Sequence, residues 1–278
     1  MTTSRFAPSP TGRLHLGHAY SAATGRAAAR HWLLRIEDLD PGRARAEYVD
    51  GIVEDLAWLG LDHDGELVVQ SHRAALYADA LERLKADGLI YSCFCTRADI
   101  AASLTAPHGD AGNAYPGTCR GKPDHPERRE TTPHSWRLDS AEAIARAGLP
   151  TWRETGGAVF ASGFEQIGDA ILARKDAPSS YHLACVVDDA ATGVTLVVRG
   201  ADLRPSTPVQ RLLQLLLGLP EPTYLHHPLV THQDGRRLAK RDQAPTLAAM
   251  REAGVDGKEL ARSLATGVLP SGFRLLTP

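Results

Sequence analysis

Residues 5–18 read RFAPSPTGRLHLGH: a strand-like start at Arg5 and Phe6, a turn rich in Pro and Gly, then His15 and His18, three residues apart. Histidines at that spacing share one face of a helical turn. If a helix begins there, its unpaired N–H groups and its dipole favour an anion, and both rings can donate hydrogen bonds to a phosphate.

Outward from this stretch the chain alternates in character. Residues 32–36 are a short apolar strand candidate, and 48–59 carry Val49, Ile52, Val53, Leu56 and Leu59 at helical spacing. Ser71 is placed to cap a second helix that buries Leu76, Tyr77, Ala80, Leu81 and Leu84 and stops near Gly88. Residues 92–165 then break the pattern, with three cysteines, many Pro and Gly, and the polar basic run KPDHPERRETTPH. An inserted lobe is expected there. Apolar runs at 170–173, 182–187 and 194–198 predict strands that return to the first sheet. Thr207 before Pro208 marks a helix start, Gly218 its end, and residues 220–278 form a small third region.

The totals exclude several classes. With 31 Lys plus Arg against 33 Asp plus Glu, the net charge is -2. A general basic field of the sort used in non-specific nucleic-acid binding is therefore absent, and RNA contact requires local patches. No window approaches a membrane-spanning length of apolar residues, and MTTSRFAPSP lacks the features of a secretory signal. A cytoplasmic location with no membrane partner is expected. Of the 4 cysteines, Cys93, Cys95 and Cys119 cluster in one polar stretch, which points to metal ligation rather than disulfides. Three thiolates make an incomplete tetrahedral zinc site, and spacing alone leaves His108 or His125 open as the fourth ligand. Cys185, inside an apolar run, reads as a core residue.

As a whole, the 5–18 string resembles the HIGH signature of class I glutamyl-tRNA synthetases, with Leu16 where that motif has isoleucine. The resemblance covers most of residues 4–245 and implies a Rossmann-type, doubly wound parallel α/β catalytic domain at 1–91 and 166–219. The lobe at 92–165 becomes a zinc-bearing, acceptor-type insertion, and 220–278 becomes the second phosphate loop with a small helical C-terminal subdomain. By the same resemblance, His15 and His18 stabilise charge on the ATP α-phosphate, and Gly17 lets the adenine approach the backbone. Arg5, Ala7 and Ser9 fall on amino-acid-binding positions. Within RIEDLD at 35–40, Glu37 is expected to hold the substrate ammonium group, while Tyr181 and Arg199 match two further glutamate-binding positions on what look like paired strands. RLAKR at 237–241 aligns with the KMSKS loop, so that Lys240 neutralises the β- and γ-phosphates as Mg2+-bound ATP reacts, and Arg237 replaces the first lysine of the motif.

The pair Cys93 and Cys95 followed by Tyr115 and Cys119 is similar to the structural zinc lobe of the stand-alone paralogues that attach glutamate to queuosine in the anticodon of tRNA(Asp). In those enzymes the tyrosine is the fourth ligand. The chain ends a small subdomain after the second loop, without an anticodon-binding domain, which fits the same paralogues. The resemblance implies an ATP-dependent ligase with ATP, L-glutamate and queuosine-containing tRNA(Asp) as partners, acting as a monomer. Two competing readings are a short synthetase charging tRNA(Glu) and a non-catalytic RNA-binding paralogue.

Overall fold

The computed structural model describes residues 1–96, 98–100, 115, 117–123, 125–162, 167–174, 177–238 and 245–277. Strand β2 (His31–Ile36) is buried along nearly its whole length, the pattern of a strand covered on both faces. It pairs in parallel with β1 (Thr3–Phe6) on one side and β3 (Val68–Val69) on the other, in the registers Arg5↔Leu33 and Arg35↔Val68. A second parallel ladder joins β9 (Leu196–Gly200) to β10 (Thr223–His227). The N–H of Thr195 donates to the carbonyl of Thr3 at 2.9 Å and sets β9 against the free side of β1. The parallel strands thus lie in the order β3-β2-β1-β9-β10, and the sequence direction reverses between β1 and β9. In open sheets ligands bind at that reversal, beyond the carboxyl ends of the strands.

Helix α1 (Leu16–Ala28) follows β1, and α2 (Ala46–Leu59) follows β2 and ends in left-handed Gly60. Both share one core with α8 (Leu247–Glu252) and α9 (Gly257–Ala265), in which Leu16, Ala19, Ile52, Leu56, Leu247 and Leu264 meet. The strand β11 (Leu229–His232) pairs antiparallel with β12 (Phe273–Leu276) beside them. Strand β10, past the expected boundary at 219/220, belongs to the main parallel ladder.

Helix α3 (Ala74–Ala86) begins after a 3-10 turn at Gln70–Arg73, so Ser71 is not its cap. The Ser71 hydroxyl and N–H both donate to Asp38 instead. Tyr77, Ala80, Leu81 and Leu84 are buried as expected, but Leu76, one step around the helix from Tyr77, is 41% exposed. After α3 comes a three-stranded antiparallel sheet, β4 (Ile90–Cys93), β5 (Ser135–Leu138) and β8 (Ile171–Arg174), with helices α4 (Pro126–Thr131) and α5 (Ser140–Ala147) and the ribbon β6 (Thr151–Arg153) with β7 (Val159–Ala161).

Two expectations fail in the following segment. Strand β8 pairs with β5 rather than with the parallel sheet. The run 182–187 is helical, part of α6 (Tyr181–Ala191). Ser180 caps that helix by accepting a hydrogen bond from the Leu183 N–H, and Leu183 and Val186 enter a second core with α7 (Thr207–Leu217). Short apolar runs fit either period, and the cap decides. Helix α7 starts at Thr207, with Ser206 at the N-cap position, and a 3-10 turn at Ala201–Ser206 joins it to β9. Among the described residues no helix is long and apolar enough to cross a membrane.

Candidate active site

His15 is the N-cap of α1, in extended backbone conformation. Its Nδ1 accepts the Gly17 N–H at 3.1 Å, and the Nδ1 of His18 accepts the His15 N–H at 3.2 Å. The two histidines thus form a reciprocal capping box, a role usually taken by a hydroxyl and a carboxylate. Because each Nδ1 accepts, the proton of each neutral ring is on Nε2. Both rings therefore carry a donor nitrogen at the positive end of a helix, with ring centres 3.9 Å apart. A Cβ on Gly17 would come within 3.1 Å of the His15 ring, so a bare backbone is needed here for the cap itself.

The loop between β1 and α1 is tied down from two directions. The Glu37 N–H donates to Pro8, and the Arg45 N–H donates to Pro10, both at 3.0 Å. Ala7 is half-buried and Ser9 exposed on this loop, beside the end of β2 that carries Glu37.

Under the loop lies a buried charge cluster. Arg5 Nε donates to Asp189 Oδ1 at 2.9 Å, and Arg35 Nη1 donates to the same oxygen at 2.5 Å. Arg35 Nη2 also reaches Glu37 Oε1 at 3.0 Å. Despite burial, the two guanidinium groups hold the Asp189 carboxyl down at about 2. Burial raises Glu37, and the arginines offset part of that rise. The Sγ of Cys185 accepts from Arg5 at 3.6 Å and Arg35 at 3.5 Å, and burial with Asp189 beside it pushes the thiol up to about 11. Cys185 is therefore a neutral wall of this cluster rather than a plain core residue. Neighbouring Asp188, fully buried, accepts hydrogen bonds from Gln70, Arg73 and Tyr77, which fastens α6 to α3.

Arg199, at the end of β9, is held without a carboxylate among the described residues. Its Nη1 donates to Gln210 at 2.7 Å, its Nη2 to Thr207 at 2.7 Å and its Nε to His226 Nε2 at 3.1 Å, with the Tyr181 hydroxyl 3.4 Å from Nη1. Since His226 Nε2 accepts, its Nδ1 carries the proton and donates to Glu154 at 2.8 Å. Burial and the Arg199 charge lower His226 to about 4, so it is a neutral acceptor at pH 7. Burial also raises the Tyr181 phenol, which stays protonated. A guanidinium fixed by neutral acceptors keeps its charge for an anionic ligand.

The second basic loop approaches the first signature from both ends. Leu238 would lie 3.8 Å from a Cβ on Gly17, while Thr246 bridges His15 and the Leu247 N–H donates to Leu14. Arg237 bridges Thr231 of β11. Lys240 lies outside the described residues.

In the inserted lobe, the Sγ atoms of Cys93, Cys95 and Cys119 all lie within 4.8 Å of one another. Cys95 and Cys119 are 3.5 Å apart, and the Tyr115 hydroxyl is 3.2 Å from Cys93 and 3.5 Å from Cys95. Tetrahedral Zn2+ with bonds of about 2.3 Å to sulfur and about 2 Å to oxygen requires S···S of ~3.8 Å and S···O of ~3.5 Å, and the spacing of these donors is compatible with a metal ion of that kind. Among the described residues no histidine or carboxylate joins the three thiols in one cluster. His108, one of the alternatives from spacing, lies outside the described residues. The Arg137 guanidinium is 3.8 Å from the centre of the Tyr115 ring and fixes that side chain from behind.

The sequence alone missed Arg35, Asp189, Gln210, Thr207 and His226. The available signals were an arginine within an apolar strand at Arg35 and an acidic pair ending an apolar run at Asp188 and Asp189.

The family described as tRNA synthetases class I (E and Q), catalytic domain, matches residues 1–268. A Glutamyl-Q tRNA(Asp) synthetase of Rhodobacter capsulatus is 44% identical over 278 residues, covering 93% of this chain and 98% of that protein. A Glutamyl-Q tRNA(Asp) synthetase of Nocardia farcinica is 47% identical, covering 90% of this chain and 79% of that protein. Among solved structures, a glutamate tRNA ligase of Elizabethkingia meningosepticum in complex with its amino acid superposes with a TM-score of 0.77 at 25% identity over 95% of this chain. The chain spans 60% of the length of that ligase. The parallel sheet, the histidine-capped helix and these likenesses agree, and the chain belongs to the class I tRNA synthetases for glutamate and glutamine, in the Glutamyl-Q tRNA(Asp) synthetase branch.

Proposed function

We propose that this protein activates L-glutamate with ATP and transfers it to the queuosine base in the anticodon of tRNA(Asp). The observation that carries the reading is the pair of Nε2–H donors on His15 and His18 at the start of α1, on the same sheet edge as Arg5, Glu37 and Arg199. The 44% identity to a Glutamyl-Q tRNA(Asp) synthetase supports the choice of acceptor.

In this reading Arg5, Ala7, Ser9, Glu37, Tyr181 and Arg199 bind glutamate, and His15, Gly17, His18 and Lys240 bind ATP. The glutamate α-carboxylate attacks the α-phosphate, the bond to the β-phosphate breaks, and pyrophosphate leaves. His15 and His18 donate to the charge that builds on the α-phosphate oxygens, and Lys240 to the departing pyrophosphate. Mg2+ accompanies ATP. A hydroxyl of the queuosine cyclopentene ring then attacks the acyl carbon and releases AMP. Cys93, Cys95, Tyr115 and Cys119 hold a structural zinc, since four protein ligands leave no position for a reacting water. The enzyme works as a cytoplasmic monomer. The zinc-bearing insertion that starts at 92 and includes β8 separates the two halves of the catalytic domain, the second half extends past 219 through β10, and the remainder to 278 carries the second phosphate loop and a small C-terminal subdomain.

Glutamate-dependent ATP–pyrophosphate exchange without tRNA tests the first step, and His18→Ala is expected to slow it by about 100-fold or more. Labelled glutamate is then offered to tRNA(Asp) with and without queuosine and to tRNA(Glu). Label retained only on queuosine-containing tRNA(Asp) supports the reading. Label on tRNA(Glu) converts it to a short synthetase, and no exchange with any RNA leaves a non-catalytic paralogue.

A further inference from the structure

The sheet of the inserted lobe has two faces with different chemistry. Cys93 pairs with Ser135 and Ser92 with Trp136 across β4 and β5. Alternation therefore sends Cys93 and Arg137 to one face, where both meet Tyr115 of the metal cluster. Phe94, His134 and Trp136 share the other face. Their rings form a row, Phe94 to His134 at 5.6 Å and His134 to Trp136 at 5.5 Å between centres. All three are half-buried, and Trp136 also packs on one side against the second core. Three cations flank the row: Arg128 lies 4.2 Å from the Phe94 ring, and Lys85 and Arg129 lie 5.0 Å and 5.3 Å from the Trp136 ring. A cleft of about 470 Å³ opens along it, lined by Phe94, Trp136, Lys85 and Arg128 among others.

In a chain of net charge -2, this concentrates positive charge on partly exposed aromatic surface. Successive π faces with cations beside them are what unpaired nucleotides require: bases stack on rings or between a ring and a guanidinium, and phosphates pair with Lys and Arg. A double helix, whose bases are already stacked, gains only the charge contacts.

We propose that the row Phe94, His134 and Trp136, with Lys85, Arg128 and Arg129, is a stacking platform for unpaired nucleotides of the RNA substrate. This rests on the reading of the protein as an RNA-modifying enzyme and adds where single-stranded RNA lies on it. Arg128 and Arg129 then serve as sandwich partners for bases, and Lys85 as a phosphate contact.

The probe is an unmodified seven-nucleotide RNA with the anticodon-loop sequence of tRNA(Asp), with a blunt RNA duplex as control. Binding is followed on the full protein by anisotropy and by quenching of tryptophan emission. Trp136→Ala should weaken oligonucleotide binding about 10-fold or more, the effect of losing one base stack. Trp136→Phe should keep affinity within about 2-fold while losing most of the quenching, because phenylalanine still offers a π face. Arg128→Gln should weaken binding and make its salt dependence shallower by about 0.7 in slope. Tight binding of the duplex, unchanged affinity in Trp136→Ala, or failure of Trp136→Phe to restore it would each overturn the proposal. Should Trp136→Ala not fold, wild-type quenching and the exposed Arg128→Gln variant decide the matter alone. Glutamate-dependent exchange is assayed on every protein: its absence in the wild type strikes at the proposed activity, whereas normal exchange with no oligonucleotide binding strikes at the platform only.

Discussion

Arg5 and Arg199 reach the proposed glutamate pocket from neighbouring strands and are buried alike, at 5% and 4% exposure. Their surroundings differ. Arg5 shares the Asp189 carboxylate with Arg35, whereas Arg199 is held by a glutamine, a threonine, a histidine and a phenol, none of them charged. On that side Glu154 is linked to Arg199 through neutral His226. Removing a charge from water costs several kcal/mol, and an opposite charge within hydrogen-bond distance returns much of it. The β1 side of the pocket has that return built in. The β9 side leaves it to a ligand, so Arg199 is the better placed of the two to gain from a substrate carboxylate.

The largest expected effect comes from breaking the built-in pair. Asp189→Ala leaves two guanidinium groups buried without their shared partner, with Glu37 and the more distant Asp188 as the carboxylates still near Arg35, and should cost about 3–5 kcal/mol in urea unfolding. A loss below about 1 kcal/mol would mean that water already serves these arginines. Arg199→Lys is next: it keeps the charge but loses the planar fork, so the KM for glutamate in the exchange assay should rise by about 10- to 100-fold, with little change in unfolding. A collapse in stability as large as that of Asp189→Ala would erase the distinction between the two sides.

The third test uses pH. His226 is lowered from 6.5 to about 4, so between those values the unfolded chain binds more protons than the folded one. Its contribution is complete above pH 6.5, declines as pH falls and is gone below about 4. His226→Gln should flatten the stability profile in that window. The smallest effect belongs to a buried carboxylate outside the pocket. Asp55 has Arg251 at 3.6 Å but no hydrogen-bond partner among the described residues, and burial raises it from 3.8 to about 6. Here the folded state holds the proton longer, so stability falls as pH rises from 3.8 to 6. Asp55→Asn should raise the unfolding temperature by about 2–4 °C above pH 7 and not at all below pH 3.8.

The contiguous parts of the site were legible in the sequence. RFAPSPTGRLHLGH carries its strand, turn and helix start in fourteen letters, and the cysteines singled out by the CxC spacing, Cys93 and Cys95, do meet Cys119 in one cluster. What stayed hidden is joined across distance: Asp189 lies 184 residues from Arg5 and 154 from Arg35, and no periodicity predicts such partners. The capping role of His15 was hidden differently, because imidazole is an unusual cap and only the geometry reveals which nitrogen accepts. The segment 182–187 misled because its six residues suit a buried strand or a buried helix equally, and a core helix can carry an acidic pair once Arg and Gln from other elements meet it.

Asp188 and Asp189 stand next to each other on α6, so their side chains leave the helix about 100° apart. One is gripped by Gln70, Arg73 and Tyr77, the other by Arg5 and Arg35. Clamped along two bearings, α6 can neither roll about its axis nor slide along it without tearing one set of bonds. The helix therefore behaves like a keyed shaft, and the angle at which Tyr181 and Cys185 enter the pocket is set by the turn before α3 as much as by the pocket itself.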